Sequence, residues 1–165
     1  MKLFLMRHGI AIDRTDPACP SEADRFLTPR GIAKTEAAAR GLRTIGIKPS
    51  LILTSPLLRA VQTAEIVCEV LGYPVKKLRH TEALKPESKP ADLFDEISAL
   101  SANEILCVGH APNLDLVIAL GVGSHSAVTA LKKAGCASLD MESFSPMRGS
   151  IVSVYLPRTL RLLAD

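Results

Sequence analysis

Two histidines in this chain, His8 and His110, each follow a short apolar run and each sit beside a glycine, in Arg7-His8-Gly9 and Gly109-His110. A lone histidine is usually structural or merely exposed, but two in the same local setting point to a shared use. A neutral imidazole nitrogen can attack phosphorus and carry the phosphoryl group as a covalent intermediate. Arg7 stands directly before the first histidine, and Arg59 lies near the start of a helical stretch that follows another apolar run. A guanidinium offers paired, directed N–H donors that match phosphoryl oxygens, a geometry an ammonium cannot reproduce. Arg59 alone is as readily a surface or capping charge; together with Arg7, His8 and His110 it makes a phosphate cage.

Such a cage requires strand exits that converge. Residues 3–6 form an apolar run that reads as a buried strand ending at Arg7-His8. Residues 13–26 have no stable period and read as a loop or lid. Thr28 is suited to cap a helix and Pro29 to its first position, and Ala33, Ala37, Ala38, Gly41 and Leu42 continue a packed stripe toward Gly46. Residues 51–54 predict a second strand. A helix is expected over 57–71, with Leu57, Val61, Ala64, Val67 and Leu71 inward, Arg59 and Gln62 outside the stripe, and Gly72 ending it. Further along, 75–78 reads as a short strand, 81–90 as a polar loop, 91–100 as a helix, 104–108 as a buried strand and 112–120 as a helix. Residues 136–144 and 151–156 pattern as antiparallel strands joined by 145–150, and 158–165 as a short helix or frayed cap. The alternation to residue 120 predicts an α/β fold, a three-layer α/β/α sandwich around a mainly parallel sheet that the last strand pair makes mixed. No long linker or repeat interrupts it, so residues 1–165 are expected to form a single domain.

The composition narrows the function. The chain has 165 residues, 47% of them hydrophobic and 22% charged, as expected of a globular core. Its net charge of +3, with 20 basic against 17 acidic residues, suits an anionic substrate, but no basic run is long enough to track a nucleic acid. Four Phe, two Tyr and no Trp leave little surface for base stacking. No apolar stretch reaches the length of a membrane span or a secretion signal, so a cytoplasmic protein without a membrane partner is the expectation. Cys19, Cys68, Cys107 and Cys136 are widely separated and read as reduced thiols, and no histidine–cysteine spacing forms a metal site. The first strand exit also lacks the glycine loop of a dinucleotide-binding protein.

Three segments together carry a resemblance. Leu5-Met6-Arg7-His8-Gly9, the run from Ser55-Pro56-Leu57-Leu58-Arg59 to Thr63-Ala64, and Val108-Gly109-His110 resemble, in order and context, the phosphate-binding segments of the histidine phosphatase, or phosphoglycerate mutase-like, superfamily. Within it the chain is most similar to the short phosphohistidine phosphatases of the SixA type, through Leu27-Thr28-Pro29-Arg30-Gly31, Glu82-Ala83-Leu84-Lys85-Pro86 and Gly109-His110-Ala111-Pro112-Asn113-Leu114. Ile10-Ala11-Ile12-Asp13 stands where the mutase branch carries a polar Ser and Asn, which turns the expectation away from sugar phosphates.

The resemblance implies His8 as nucleophile, Arg7, Arg59 and His110 as phosphate ligands, and Glu82 as the position of a general acid, with Glu87 and Asp13 its local competitors. The backbone amide of Ala111, at a helix start, is a further candidate phosphate donor. It also implies a histidine-phosphorylated phosphotransfer protein as partner and a reaction that needs no cofactor and no metal. Arg14, Arg25 and Arg30 are candidates to recruit an acidic protein face, while His80 and His125 read more simply as surface residues. Two other readings remain. One is a broader phosphomonoesterase of the same superfamily using Glu82 as acid, and the other is a noncatalytic phosphoprotein-binding module that retains the cage.

Overall fold

Period-two alternation in three short runs decides the layering. Leu3 and Leu5 of strand β1 (Lys2–Arg7), Leu51 and Leu53 of β2 (Leu51–Thr54), and Ile105 and Cys107 of β4 (Glu104–Gly109) point into one core. The intervening Phe4, Met6, Ile52, Leu106 and Val108 point into a second core on the opposite face. Strands buried on both faces must be covered on both faces, and helices do this. Helices α3 (Pro90–Ser98) and α4 (Asn113–Gly121) cover the first core through Leu93, Phe94, Ile97, Leu114, Val117 and Ile118. Helices α1 (Pro29–Thr44), α2 (Leu58–Leu71) and α5 (Pro157–Leu162) cover the second. The computed structural model describes residues 1–164, so the end of the expected 158–165 element lies outside the described residues.

The six-stranded sheet has the order β3-β2-β4-β1-β5-β6, with β3 at Arg79–His80, β5 at Cys136–Phe144 and β6 at Met147–Tyr155. β1, β2, β3 and β4 run parallel, whereas β5 pairs antiparallel with β1 and β6 antiparallel with β5. The expected α/β/α sandwich around a mixed sheet is therefore the observed fold. No helix of the described residues is long and apolar enough to cross a membrane.

Local chemistry sets the element ends. Thr28 adopts an extended conformation and its hydroxyl accepts from the Gly31 amide at 3.0 Å, while Pro29 occupies the first helical position, where its missing N–H costs nothing. Gly72 closes α2 in the left-handed region at φ 72.

Three expectations need correction. The inward side of α2 is Arg59, Ala60, Thr63, Ala64, Val67 and Cys68, while Leu57, Val61 and Leu71 lie only partly buried. Small side chains let the helix sit close to the sheet and α1, and the larger aliphatics ride the flank; Arg59 is thus 3% exposed rather than outside the stripe. Residues 75–78 are not a strand: Val75–Lys77 makes a 3-10 turn, and the pairing residues are Arg79–His80. Val75 and Leu78 stand three apart, the spacing that eclipses side chains in a 3-10 turn rather than alternating them across a sheet. The terminal hairpin turns at Ser145-Pro146, and β6 begins at Met147 instead of residue 151, because Met147 pairs with Phe144 and two register shifts break the alternation.

Gly31 places α1 directly against the segment leaving β1, and a Cβ there would lie 2.0 Å from the carbonyl oxygen of Ile10. Backbone cannot step aside as a side chain can. Gly31→Ala is therefore expected to destabilise the fold by about 1–3 kcal/mol, the range for an overpacked contact, and to lower turnover by displacing residues 8–10. Thermal unfolding beside kinetics checks this, and wild-type values in both would contradict the contact's importance.

Candidate active site

The two histidines meet because β1 and β4 are hydrogen-bonded neighbours in register, with Arg7 opposite Gly109. The ladder continues one step past the strands, where the His8 amide donates to Gly109 O at 3.0 Å. The imidazole centroids stand 5.0 Å apart with planes inclined at 53°. On the far side of β4, the Ser55 amide donates to Val108 O at 3.0 Å, which brings the exit of β2 and the start of α2 to the same edge. Parallel strands commonly gather their functional groups at the ends where they exit. Here a cavity of about 480 Å³ opens there, lined by Arg7, His8, Arg59, His110 and Ala111 among others.

His8 is 6% exposed, and its Nδ1 lies 2.7 Å from Gly9 O. A carbonyl can only accept, so Nδ1 carries the proton and Nε2 keeps its lone pair. Burial, then the neighbouring His110, Arg59 and Arg7, push the His8 pKa down to about 2 despite the Gly9 contact. Its ring is neutral at physiological pH. His110 is 2% exposed and pushed down to about 3, first by burial and then by Arg59. Ser55 Oγ accepts from the Leu57 amide at 3.3 Å and lies 2.9 Å from His110 Nε2. With the Ser55 hydroxyl donating to Nε2, the His110 ring proton falls on Nδ1, which is buried without a partner.

Both arginines are anchored at one end and open at the other. Arg7 Nη1 donates to Leu131 O at 2.8 Å; Leu131 N and Thr129 Oγ1 in turn donate to the buried carboxylate of Asp115, at 2.9 and 2.7 Å. Arg59 donates from Nη1 to Glu22 O at 2.8 Å and from Nη2 to Glu22 Oε1 at 2.9 Å. The Nε atoms of Arg7 and Arg59, like His110 Nδ1, are buried with no partner among the described residues. Burial disfavours the charge on both guanidiniums, offset in part by Asp115 for Arg7 and Glu22 for Arg59. Three buried nitrogens without partners, on residues that line one cavity with His8, form a site that an oxyanion would complete.

Thr63 ties these pieces together: its hydroxyl accepts from the Gly9 amide at 3.0 Å and donates to Arg59 O at 2.7 Å. The lid loop, residues 13–26, contributes more than expected. Glu22 also meets Arg14 at 2.9 Å and Arg25 at 3.3 Å, and its carboxyl is held down at about 2, first by the hydrogen bond from Arg14. Arg14, Arg25 and Asp13 line the cavity, and so does Lys133. Hydrogen bonds from the Thr15 amide and hydroxyl lower the Asp13 pKa and favour its ionised form.

Glu82 is not brought into this group. It is exposed, pairs with Lys85 and does not line the cavity, whose rim on that side is Pro86. Glu87 is exposed, as are His80 on β3 and His125 in its loop; Arg30 is exposed on the first turn of α1. Glu22, Asp115 and Lys133 carry no motif that singles them out by type or spacing, and Ser55 and Thr63 lie in the segment around Arg59 that carries the resemblance without being assigned a role by it. The one available signal is that Ser55 and Thr63 flank Arg59 at a strand exit and one helical turn on.

Residues 3–85 match the model of the histidine phosphatase superfamily (branch 1). An uncharacterized protein of Picosynechococcus is 36% identical over 143 residues, 84% of this chain and 84% of that protein. The phosphohistidine phosphatase SixA of Escherichia coli (strain K12) is 32% identical over 126 residues, 72% of this chain and 73% of that one. A solved structure of the protein histidine phosphatase SixA complexed with tungstate superposes with a TM-score of 0.86 at 25% identity, covering 97% of this chain and 99% of that one.

The two imidazoles give a pH prediction with a definite sign. Both stay neutral in the folded protein far below 6.5, their ordinary value, so between about pH 3 and 6.5 the unfolded chain binds more protons. Their contribution to stability is full above pH 6.5 and is lost as pH falls, by about 1.4 kcal/mol per pH unit for each ring. NMR in phosphate-free buffer should show the His8 and His110 ring signals unchanged from pH 7.5 to about 4.5; midpoints near 6.5 would contradict the assigned burial and charge.

Proposed function

Because this chain belongs to the histidine phosphatase superfamily, we propose that it is a phosphohistidine phosphatase of the SixA type, removing phosphate from histidine of a phosphotransfer protein through a covalent intermediate on His8. The observation that carries this choice is the state of the carboxylates nearest the phosphate ligands. Asp13, the one carboxylate among the described residues that lines the cavity, has a lowered pKa, and Glu22, which grips Arg59 from behind, is held at about 2, so both are ionised and neither is an acid with a proton to give. An alkoxide leaving a phosphate ester requires such a proton. An imidazole that already carries a proton on its far nitrogen leaves as a neutral molecule. The similarity to SixA, including its complex with the oxyanion tungstate, supports the same reading.

In the first step the lone pair of His8 Nε2 forms a bond to phosphorus as the bond from phosphorus to the substrate imidazole breaks. That imidazole keeps the electron pair and departs neutral. Arg7 and Arg59 hold the equatorial oxygens through their open edges, His110 Nδ1–H holds a further oxygen, and the Ala111 amide at the start of α4 can add another. The hydrogen bond from Nδ1 to Gly9 O keeps the ring in the reactive tautomer and accommodates the positive charge it gains. In the second step water attacks phosphorus, the bond to His8 breaks with its electrons returning to Nε2, and orthophosphate leaves with the excess proton passing to solvent. This sequence calls on no metal or organic cofactor.

His8→Ala is expected to abolish both turnover and the acid-labile phosphate label on the protein while leaving the fold intact. Folded protein with normal activity would exclude the mechanism. Arg59→Lys retains charge but loses the directed fork, and a fall in kcat of about 10²–10³ is expected, the usual loss for a transition-state donor. Glu82→Gln should leave phosphohistidine turnover near wild type. A marked preference of the wild type for a phosphate ester, lost in Glu82→Gln, would instead favour the broader phosphomonoesterase.

A further inference from the structure

Beside the phosphate cavity lies a second hollow of about 410 Å³ whose lining, among the described residues, includes five cations, Arg7, Lys34, Lys132, Lys133 and Arg161, and no carboxylate. Arg7 and Lys133 line both spaces, so one basic trough runs from His8 outward. We propose that this hollow receives an acidic face of the phosphorylated partner protein, steering its phosphohistidine to His8; the proposal rests on the phosphohistidine reading above.

Apart from Arg7 at the end of β1, the cations come from three elements that the fold fixes relative to His8. Lys132 and Lys133 belong to a turn clamped on the exit of β1: Ala134 N donates to Arg7 O at 3.0 Å, and Arg7 N donates to Gly135 O at 3.0 Å. Ala134 holds the left-handed conformation at φ 61 that this turn demands. Lys34 projects from α1 and Arg161 from α5, and these helices pack so closely that a Cβ on Gly41 would lie 2.0 Å from Leu160 O. Among the described residues Lys34, Lys132, Lys133 and Arg161 form no ion pair. They also repel one another: the Lys34 ammonium is disfavoured first by Arg30, and then by burial and Arg161.

The character of these groups decides the kind of anion. In the phosphate cavity the waiting donors are buried and rigid. In the hollow Lys132 and Lys133 are exposed and Lys34 and Arg161 only partly covered, on long flexible stems. Hydrated, mobile cations suit a broad carboxylate surface, where complementary charge raises the encounter rate more than it fixes one bound geometry. A second phosphate of a small molecule would call for directed, desolvated donors instead.

The test compares wild type with the triple variant K34A/K132A/R161A on two substrates: a histidine-phosphorylated phosphotransfer domain of net negative charge, and phosphoramidate. The triple variant is expected to lose about tenfold in kcat/KM on the domain, through KM, at low ionic strength, to show a flattened salt dependence, and to turn over phosphoramidate as wild type does. The single variant Lys132→Glu, in an exposed turn, should move the same way, which guards against a triple variant that folds poorly. Unchanged activity on the domain in the single variant, or an equal loss on both substrates there, overturns the docking role. So does weaker inhibition by pyrophosphate with normal turnover of the domain, which would make the hollow a small-anion subsite. A wild type inactive on both substrates overturns the functional reading and this proposal with it; an active wild type with indifferent variants overturns the docking role alone.

Discussion

Positive groups gathered around an anion site repel one another, and most of what surrounds His8 manages that repulsion. A guanidinium cannot escape by giving up its proton, so Arg7 and Arg59 are held by oxygens at their outer ends: Leu131 O, backed by Asp115, and the carbonyl and carboxylate of Glu22. The imidazoles can give up a proton, and burial first, with the neighbouring positive groups after it, keeps both neutral. One electrostatic arrangement thus has two products. It leaves directed donors unsatisfied at the centre, and it keeps the lone pair on His8 Nε2 that attack on phosphorus requires.

The anchoring is distributed over the whole fold. Glu22 belongs to the lid, Asp115 to α4, Ser55 to the exit of β2 and Thr63 to α2. Thr63 joins the backbone after His8 to the backbone of Arg59 through one hydroxyl, so nucleophile and phosphate ligand share a support. With Ala60, Thr63 and Ala64 as its contact side, α2 lies near enough for Arg59 to reach the cavity from a buried position.

The phosphate-site candidates were legible in the sequence because each sits at a boundary that periodicity marks. Arg7, His8 and His110 end apolar runs, and a parallel sheet offers few other places for such ends to go. Arg59 was legible by type and segment but not by orientation: a stripe drawn through the larger aliphatics put it outside, whereas the small residues set the buried side. The edge strand was misread for a related reason, since two exposed residues, Arg79 and His80, give no alternation to detect. Glu22 was illegible in principle, because its partners Arg14, Arg25 and Arg59 are brought to it by a loop with no repeating pattern.

The distance between the two imidazoles is set by strand pairing at Arg7 and Gly109, not by the long stretch of chain that separates them in sequence. That stretch includes the lid over the cavity, the exposed outer strand β3 and the loop ending at Lys89 before α3, all at the rim of the sheet. Insertions at those places would leave the imidazole separation untouched while raising walls around the opening. A fold of this kind can therefore vary the size and shape of the molecules it admits independently of the bond it breaks.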